Sequence, residues 1–345
     1  MPVAFQLSVL DQSPIPEGRT TADALRNTIE LARLADRLGY SRYWLAEHHG
    51  TPALACASPE VMIGPVADAT RRVRIGSGGV MLPHYSPLKV AESFSMLAAL
   101  FPDRIDLGIG RAAGTSPGVA FALQRDRRQA APDDFREQLD ELLGYLENRP
   151  PSSGLFRQLS LTRFTSPAPW LLGSSPQSAV WAAELGLPYC FADFINPAGA
   201  QAAAYYRNRF QPSRWLDRPR LAVCVWGICA NSDDEAMRLS ASLRMMSTLL
   251  FRGQLIPVPT VERALRFLSA EGVPAESIPT GRRILTGAPA TLRASLEAVV
   301  AEYRADEVFV VNIMHDHAAR LRSYELIAQE CLLSGVSGLQ IAPVR

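Results

Sequence analysis

Residues 86–110, Ser86-Pro-Leu-Lys-Val-Ala-Glu-Ser-Phe-Ser-Met-Leu-Ala-Ala-Leu-Phe-Pro-Asp-Arg-Ile-Asp-Leu-Gly-Ile-Gly110, read as a helix from Ser86 to Leu100 followed by a strand starting near Arg104. The same pair occurs upstream, where a helix from Ser58 to Thr70 leads into Val73-Arg-Ile-Gly-Ser-Gly78. Before that, Gln6 to Leu10 reads as a strand. Thr20 and Thr21 offer an N-cap to the amphipathic run Leu25, Ile29, Ala32 and Leu34, Gly39 ends it, and Tyr43 to Ala46 forms the second strand. Further strands are expected at Trp170 to Leu172, Tyr189 to Ala192, Leu221 to Ile228 and Glu307 to Ile313. An open doubly wound sheet also alternates strand and helix, but eight strands favour a closed barrel. The expectation is one domain over residues 1–345, an α/β fold built as a single (β/α)8 TIM barrel with insertions at its C-terminal mouth. Residues 114–132 and 251–283 interrupt the rhythm. The second stretch carries four prolines around the helical pattern Val261 to Leu268, so it is expected to pass over the mouth as a lid.

The composition sets bounds on function. With 345 residues, 48% hydrophobic and 20% charged, the chain has the makings of a large buried core. Thirty-five basic against 34 acidic residues leave a net charge of +1, which argues against a nucleic-acid partner. No apolar run is long enough to span a membrane and no leader pattern is visible at the N-terminus, so the chain is expected to be cytoplasmic. Five scattered cysteines without a CxxC pair argue against disulfides and zinc and read as buried thiols.

Candidate chemistry gathers at strand ends. In Trp44-Leu-Ala-Glu-His-His-Gly50, the two histidines follow the second strand, where barrels place catalytic groups, and a histidine exchanges protons near neutral pH. His48 is the candidate. His49 should point to the other side of the strand end and matter less. Metal binding by these two residues with His315 and His317 is the weaker reading, because the first strand offers only Asp11. In Trp170-Leu-Leu-Gly-Ser-Ser-Pro-Gln-Ser178, a strand turns into a helix whose first turn suits Pro176 and whose N-terminus Ser174 and Ser175 can cap, a natural place for a phosphate. Arg111, at the end of the fourth strand, lies on the same rim. Gly78 and Gly79 permit close approach of a flat ligand, whereas Gly108-Ile-Gly-Arg-Ala-Ala-Gly114 lacks the ribose-binding acid of a dinucleotide fingerprint.

Together, Trp44-Leu-Ala-Glu-His-His49, Gly78-Gly-Val-Met-Leu-Pro-His-Tyr-Ser-Pro-Leu88, Phe101-Pro-Asp-Arg-Ile-Asp-Leu-Gly-Ile-Gly-Arg-Ala112, Leu172-Gly-Ser-Ser175, Ala182-Ala-Glu-Leu-Gly-Leu-Pro188 and His315-Asp-His-Ala-Ala-Arg-Leu-Arg-Ser-Tyr-Glu-Leu326 resemble the bacterial luciferase-like flavin monooxygenases along nearly the whole chain. The resemblance implies reduced FMN bound at the barrel mouth as cosubstrate and supplied by a separate NAD(P)H:flavin reductase. It also implies a homodimer, and the transfer of one oxygen atom from O2 to a small organic substrate through a C4a-peroxyflavin. His48 matches the family's catalytic histidine, the acid or base. Arg111 matches an arginine on the flavin phosphate, and Ser174, Ser175 and Ser178 fall where phosphate contacts follow the fifth strand. Gly110 departs from the pattern, since luciferases proper carry a cysteine there, which weakens a claim of light emission. Two other functions fit the same barrel: an F420-dependent hydride-transfer oxidoreductase and a non-catalytic flavin-binding protein.

Overall fold

The computed structural model describes residues 5–111, 116–124, 127–128, 133–149, 165–274 and 283–333. Its strands are β1 (Gln6–Asp11), β2 (Arg42–Leu45), β3 (Arg74–Met81), β4 (Ile105–Gly110), β5 (Ala168–Gly173), β6 (Tyr189–Ala192), β7 (Leu221–Cys229), β8 (Ile284–Gly287) and β9 (Glu307–Val311). Each pairs in parallel with its neighbours from β1 through β7. β7 then pairs with β9, and β9 with β1, which closes an eight-stranded ring. The barrel is the expected one. All eight ring strands fall where the sequence alternation puts them. β8 was not foreseen: where β7 outruns β6 after the pair Ala192 and Cys224, its second half pairs with these four residues instead, from Trp226 with Ile284 to Cys229 with Gly287.

The helices are α1 (Thr21–Leu38), α2 (Pro59–Asp68), α3 (Pro87–Leu100), α4 (Pro117–Leu123), α5 (Phe135–Leu146), α6 (Pro176–Glu184), α7 (Ala200–Arg209), α8 (Asp233–Leu239), α9 (Ala241–Phe251), α10 (Val261–Ala270), α11 (Pro289–Tyr303) and α12 (His317–Ala328). Local chemistry sets their ends. Thr20 and Asp23 form a reciprocal capping box at the start of α1, and Gly39 closes it in the left-handed conformation.

Side chains alternate across each strand, so one parity faces the helices and the other fills the ring. Leu7, Val9, Tyr43 and Ile75 pack outward under the helices. Leu10, Trp44, Trp170, Cys190, Cys224 and Phe309 fill the interior, where Trp44 stacks on Phe309 at 4.1 Å and meets Trp170 edge-on at 5.3 Å. Trp44 fits because its neighbour on β3 is Gly76. A Cβ there would lie 3.0 Å from the indole and 2.5 Å from the Asp106 carbonyl oxygen.

The N-terminal end of the barrel is plugged by charge. Glu307 accepts from Ser8 at 2.5 Å, Arg42 at 2.9 Å and Arg220 at 3.0 Å. Asp106 accepts from Trp44 Nε1 at 3.0 Å and Arg74 at 2.6 Å, and pairs with Arg42 Nε at 2.9 Å. Arg42 and Arg220 also lie over the Trp170 ring at 5.0 and 5.2 Å. All five cysteines are buried and free, and burial holds their thiols above the usual range.

Candidate active site

Beyond β2, the parity that turns Trp44 and Ala46 into the ring continues to His48. Its backbone N–H is held by the Cys56 carbonyl at 3.0 Å. The ring is half-buried, and its Nδ1 is buried without a hydrogen-bond partner among the described residues. Burial, followed by the charge of His49, draws the His48 pKa down to about 4, so the imidazole is neutral at pH 7. His49 takes the opposite side, with Nε2 2.7 Å from Glu47 Oε1.

Glu47 is the residue that the sequence reading passed over. It is fully buried and joins two walls of the site. Its carboxylate accepts from the Met81 N–H at 3.1 Å and the Tyr85 hydroxyl at 3.0 Å, as well as contacting His49. A carboxylate at the end of an otherwise apolar strand was the available signal.

Three strands further round the ring, β5 ends at Gly173 and turns into α6. The turn needs this glycine, because a Cβ would lie 2.3 Å from Ser178 Oγ. Ser175 occupies the N-cap position with extended backbone, but its hydroxyl does not cap the helix, contrary to the sequence expectation for Ser174 and Ser175. Both hydroxyls make no hydrogen bond among the described residues, while the Ser174 carbonyl accepts from Asn196 at 2.9 Å. The hydroxyl of Ser178 is committed inward, donating to the Ser175 carbonyl at 2.7 Å and meeting the Tyr189 hydroxyl at 2.8 Å, so it braces the turn. Arg111 is exposed, with its guanidinium 5.4 Å from the Trp181 ring centroid, and Trp181 rests on Phe135 at 5.2 Å.

One cleft is lined by all seven residues singled out from sequence: His48, Gly78, Gly79, Arg111, Ser174, Ser175 and Ser178. Its interior measures about 230 Å³ and opens to solvent at the mouth. Its remaining walls are mainly apolar, including Leu10, Trp44, Leu172, Cys190, Phe194 and Phe309. Gly78 and Gly79, joined by a cis peptide, expose backbone on one wall. Their own packing also requires glycine, since a Cβ would lie 2.3 Å from Leu10 Cδ1 at Gly78 and 2.8 Å from the Gly108 carbonyl oxygen at Gly79.

No metal-ligating cluster is present among the described residues: Asp316 caps α12, His317 lies 3.3 Å from Glu30, and His315 contacts the Glu17 carbonyl at 3.2 Å. The described part of the 251–283 excursion does not line the cleft. It packs on the loop after β1, with Val258 N–H donating to the Ile15 carbonyl at 2.8 Å, Glu17 N–H to the Val258 carbonyl at 2.8 Å, and Arg263 paired with Glu17. Residues 275–282 of that stretch, and 114–115, 125–126 and 129–132 of the earlier one, lie outside the described residues. No helix among the described residues is long and apolar enough to cross a membrane.

Comparison with known proteins follows this geometry. The family model for luciferase-like monooxygenases matches residues 5–325. YwcH of Bacillus subtilis strain 168 is 43% identical over 330 residues, covering 94% of this chain and 98% of its own. A luciferase-like monooxygenase of Escherichia coli K12 is 39% identical over 330 residues, covering 94% and 96%. The crystal structure of apo-MsnO8 superposes with a TM-score of 0.84 at 41% identity, covering 94% and 98%. The chain belongs to the luciferase-like monooxygenase family and is a flavin-dependent monooxygenase on a (β/α)8 barrel.

Proposed function

We propose that this enzyme is the oxygenating component of a two-component system, taking reduced FMN from a separate NAD(P)H:flavin reductase and using O2 to oxygenate a small organic substrate. One observation carries the choice of FMN. Arg111, the hydroxyls of Ser174 and Ser175, and the N-terminus of α6, which no side chain caps, line one part of a mainly apolar cleft that His48 also lines. An uncapped helix start with a nearby guanidinium suits a phosphate, and apolar walls suit a flat ring system.

When bound and reduced, the flavin supplies the reaction with O2. The chain's own residues supply the setting. Arg111 and the start of α6 hold the phosphate, with the Arg111 guanidinium kept in place by Trp181. Leu10, Trp44, Phe309 and Phe194 keep water from the reacting region. His48, neutral at pH 7, holds or accepts a proton at the otherwise unpartnered Nδ1, and the Glu47 contacts fix the loop that carries it.

The test mixes purified protein with FMN, NADH and a flavin reductase and follows O2 consumption and the flavin absorbance by stopped flow. An oxygenated flavin species that outlives the one formed in protein-free solution supports the reading. Turnover with reduced F420 and no O2 uptake replaces it with hydride transfer, and binding of flavin with neither outcome leaves a flavin carrier.

A further inference from the structure

The turn from β5 into α6 is gripped from behind by the next loop round the barrel. Asn196 lies between β6 and α7 and does not itself line the cleft. Its Nδ2 donates to the Ser174 carbonyl at 2.9 Å, and its Oδ1 accepts from the Ala198 N–H at 3.1 Å. One partner is an acceptor and the other a donor, so only a carboxamide serves both. A carboxylate of the same shape keeps the bond from Ala198 and loses the one to Ser174.

The loop that carries Asn196 is a firm support. The Asn196 N–H donates to the Ala192 carbonyl at 3.1 Å. Further along, the Tyr303 hydroxyl of α11 accepts from the Gly199 N–H at 3.1 Å and donates to Asp193 at 2.8 Å. Gly199 sits so close to Phe191 that a Cβ there would lie 2.0 Å from its ring. The turn that Asn196 grips has few backbone donors to give a ligand. Pro176 has no N–H, and the Ser178 N–H is spent on the Ser175 carbonyl at 3.2 Å. The peptide joining Ser174 to Ser175 is trans, so its C=O and N–H point in opposite directions. With the carbonyl turned to Asn196, the Ser175 N–H is turned away from that loop.

We propose that Asn196 is a positioning residue for the flavin phosphate: by holding the Ser174 carbonyl from behind, it aims the Ser175 N–H at the phosphate beside Arg111 and the start of α6. A donor set in place beforehand costs no reordering when the ligand arrives. Asn196 touches neither the phosphate nor the ring system and acts through the peptide it holds. The proposal rests on the FMN reading and goes beyond it in making selectivity for the phosphate depend on a side chain outside the cleft.

The experiment titrates wild-type protein, Asn196→Ala and Asn196→Asp by calorimetry with FMN and with riboflavin, and thermal unfolding checks that each variant is folded. Asn196→Ala is expected to weaken FMN by about three- to tenfold, the worth of one neutral hydrogen bond, and to leave riboflavin within about twofold. Asn196→Asp sets a carboxylate against the Ser174 carbonyl and near the phosphate, so its FMN loss should be at least as large. The part beyond the alanine loss should shrink as salt is raised. A general loosening of the fold would lower both ligands together, whereas positioning moves the ratio of FMN to riboflavin affinity. A wild type that prefers FMN, with that ratio unchanged in both variants, overturns the proposal alone. No preference of wild type for FMN overturns the cofactor reading and the proposal with it.

Discussion

At the N-terminal end of the barrel, Glu307 and Asp106 are surrounded by Arg42, Arg74, Arg220, Ser8 and Trp44, all within about 3 Å. At the C-terminal mouth the same strands end in glycines, apolar side chains and polar groups without partners among the described residues: His48 Nδ1 and the hydroxyls of Ser174 and Ser175. Both ends are polar, and the difference lies in satisfaction. A buried charge with its partners in place holds a structure together, and removing one partner strands the others. A polar group without a partner inside a cleft is poised for a ligand. The comparison teaches where to look for stability and where for chemistry, in keeping with the division seen in barrels generally.

The sharpest way to break this division is at the plug. Glu307→Ala leaves Arg42 and Arg220 facing a buried gap and is expected to lower unfolding free energy by about 3–5 kcal/mol, as measured by urea denaturation. FMN affinity of the folded fraction should be unchanged. A loss of FMN affinity with little loss of stability would mean that the plug belongs to the site.

The mouth has its own stability signature. The His48 pKa of about 4 lies below the ordinary histidine value, so between about pH 6.5 and 4 the unfolded chain binds a proton that the folded one does not. That contribution is present above pH 6.5 and is lost as pH falls towards 4. Replacing His48 with Gln should therefore remove up to about 3 kcal/mol of the acid-induced loss, visible as a flatter stability curve over this window. Parallel curves for the two proteins would place His48 in a more hydrated setting.

For turnover, His48→Ala is expected to slow the reaction by roughly 10²-fold or more, the usual contribution of a positioned acid or base. FMN binding should stay within a few-fold and stability at pH 7 should be nearly unaltered. His49→Ala should cost less, since His49 meets Glu47 rather than the cleft. Equal losses from both would mean that the Glu47–His49 pair, and not the His48 ring, controls the rate.

Much of this was legible in the chain, for a definite reason. Short apolar runs between helical patterns mark the ring strands, because one parity, such as Leu7, Val9, Tyr43 and Ile75, must meet helices while the other fills the ring. Strand ends then bring His48, Arg111 and the Gly173 turn to one rim. What escaped depends on contacts between distant segments. β8 is four residues long and exists because β7 outruns β6. Ser178 turns inward because Tyr189 lies beside it. Glu47 reads as a surface carboxylate until Met81 and Tyr85 arrive from β3 and the turn after it. The 251–283 stretch reads as a lid, and its described part packs on Ile15 and Glu17 of the loop after β1 without lining the cleft.

The cofactor assignment at the mouth is tested most directly by calorimetric titration of wild type and Arg111→Ala with FMN and with riboflavin. A charge-assisted hydrogen bond contributes roughly 1.5–3 kcal/mol, so loss of Arg111 should weaken FMN by about ten- to a hundredfold. Riboflavin, which has no phosphate, should bind both proteins alike and more weakly than FMN binds wild type. Equal losses for the two ligands, or no preference of wild type for FMN, would contradict a phosphate anchor formed by Arg111 and the start of α6.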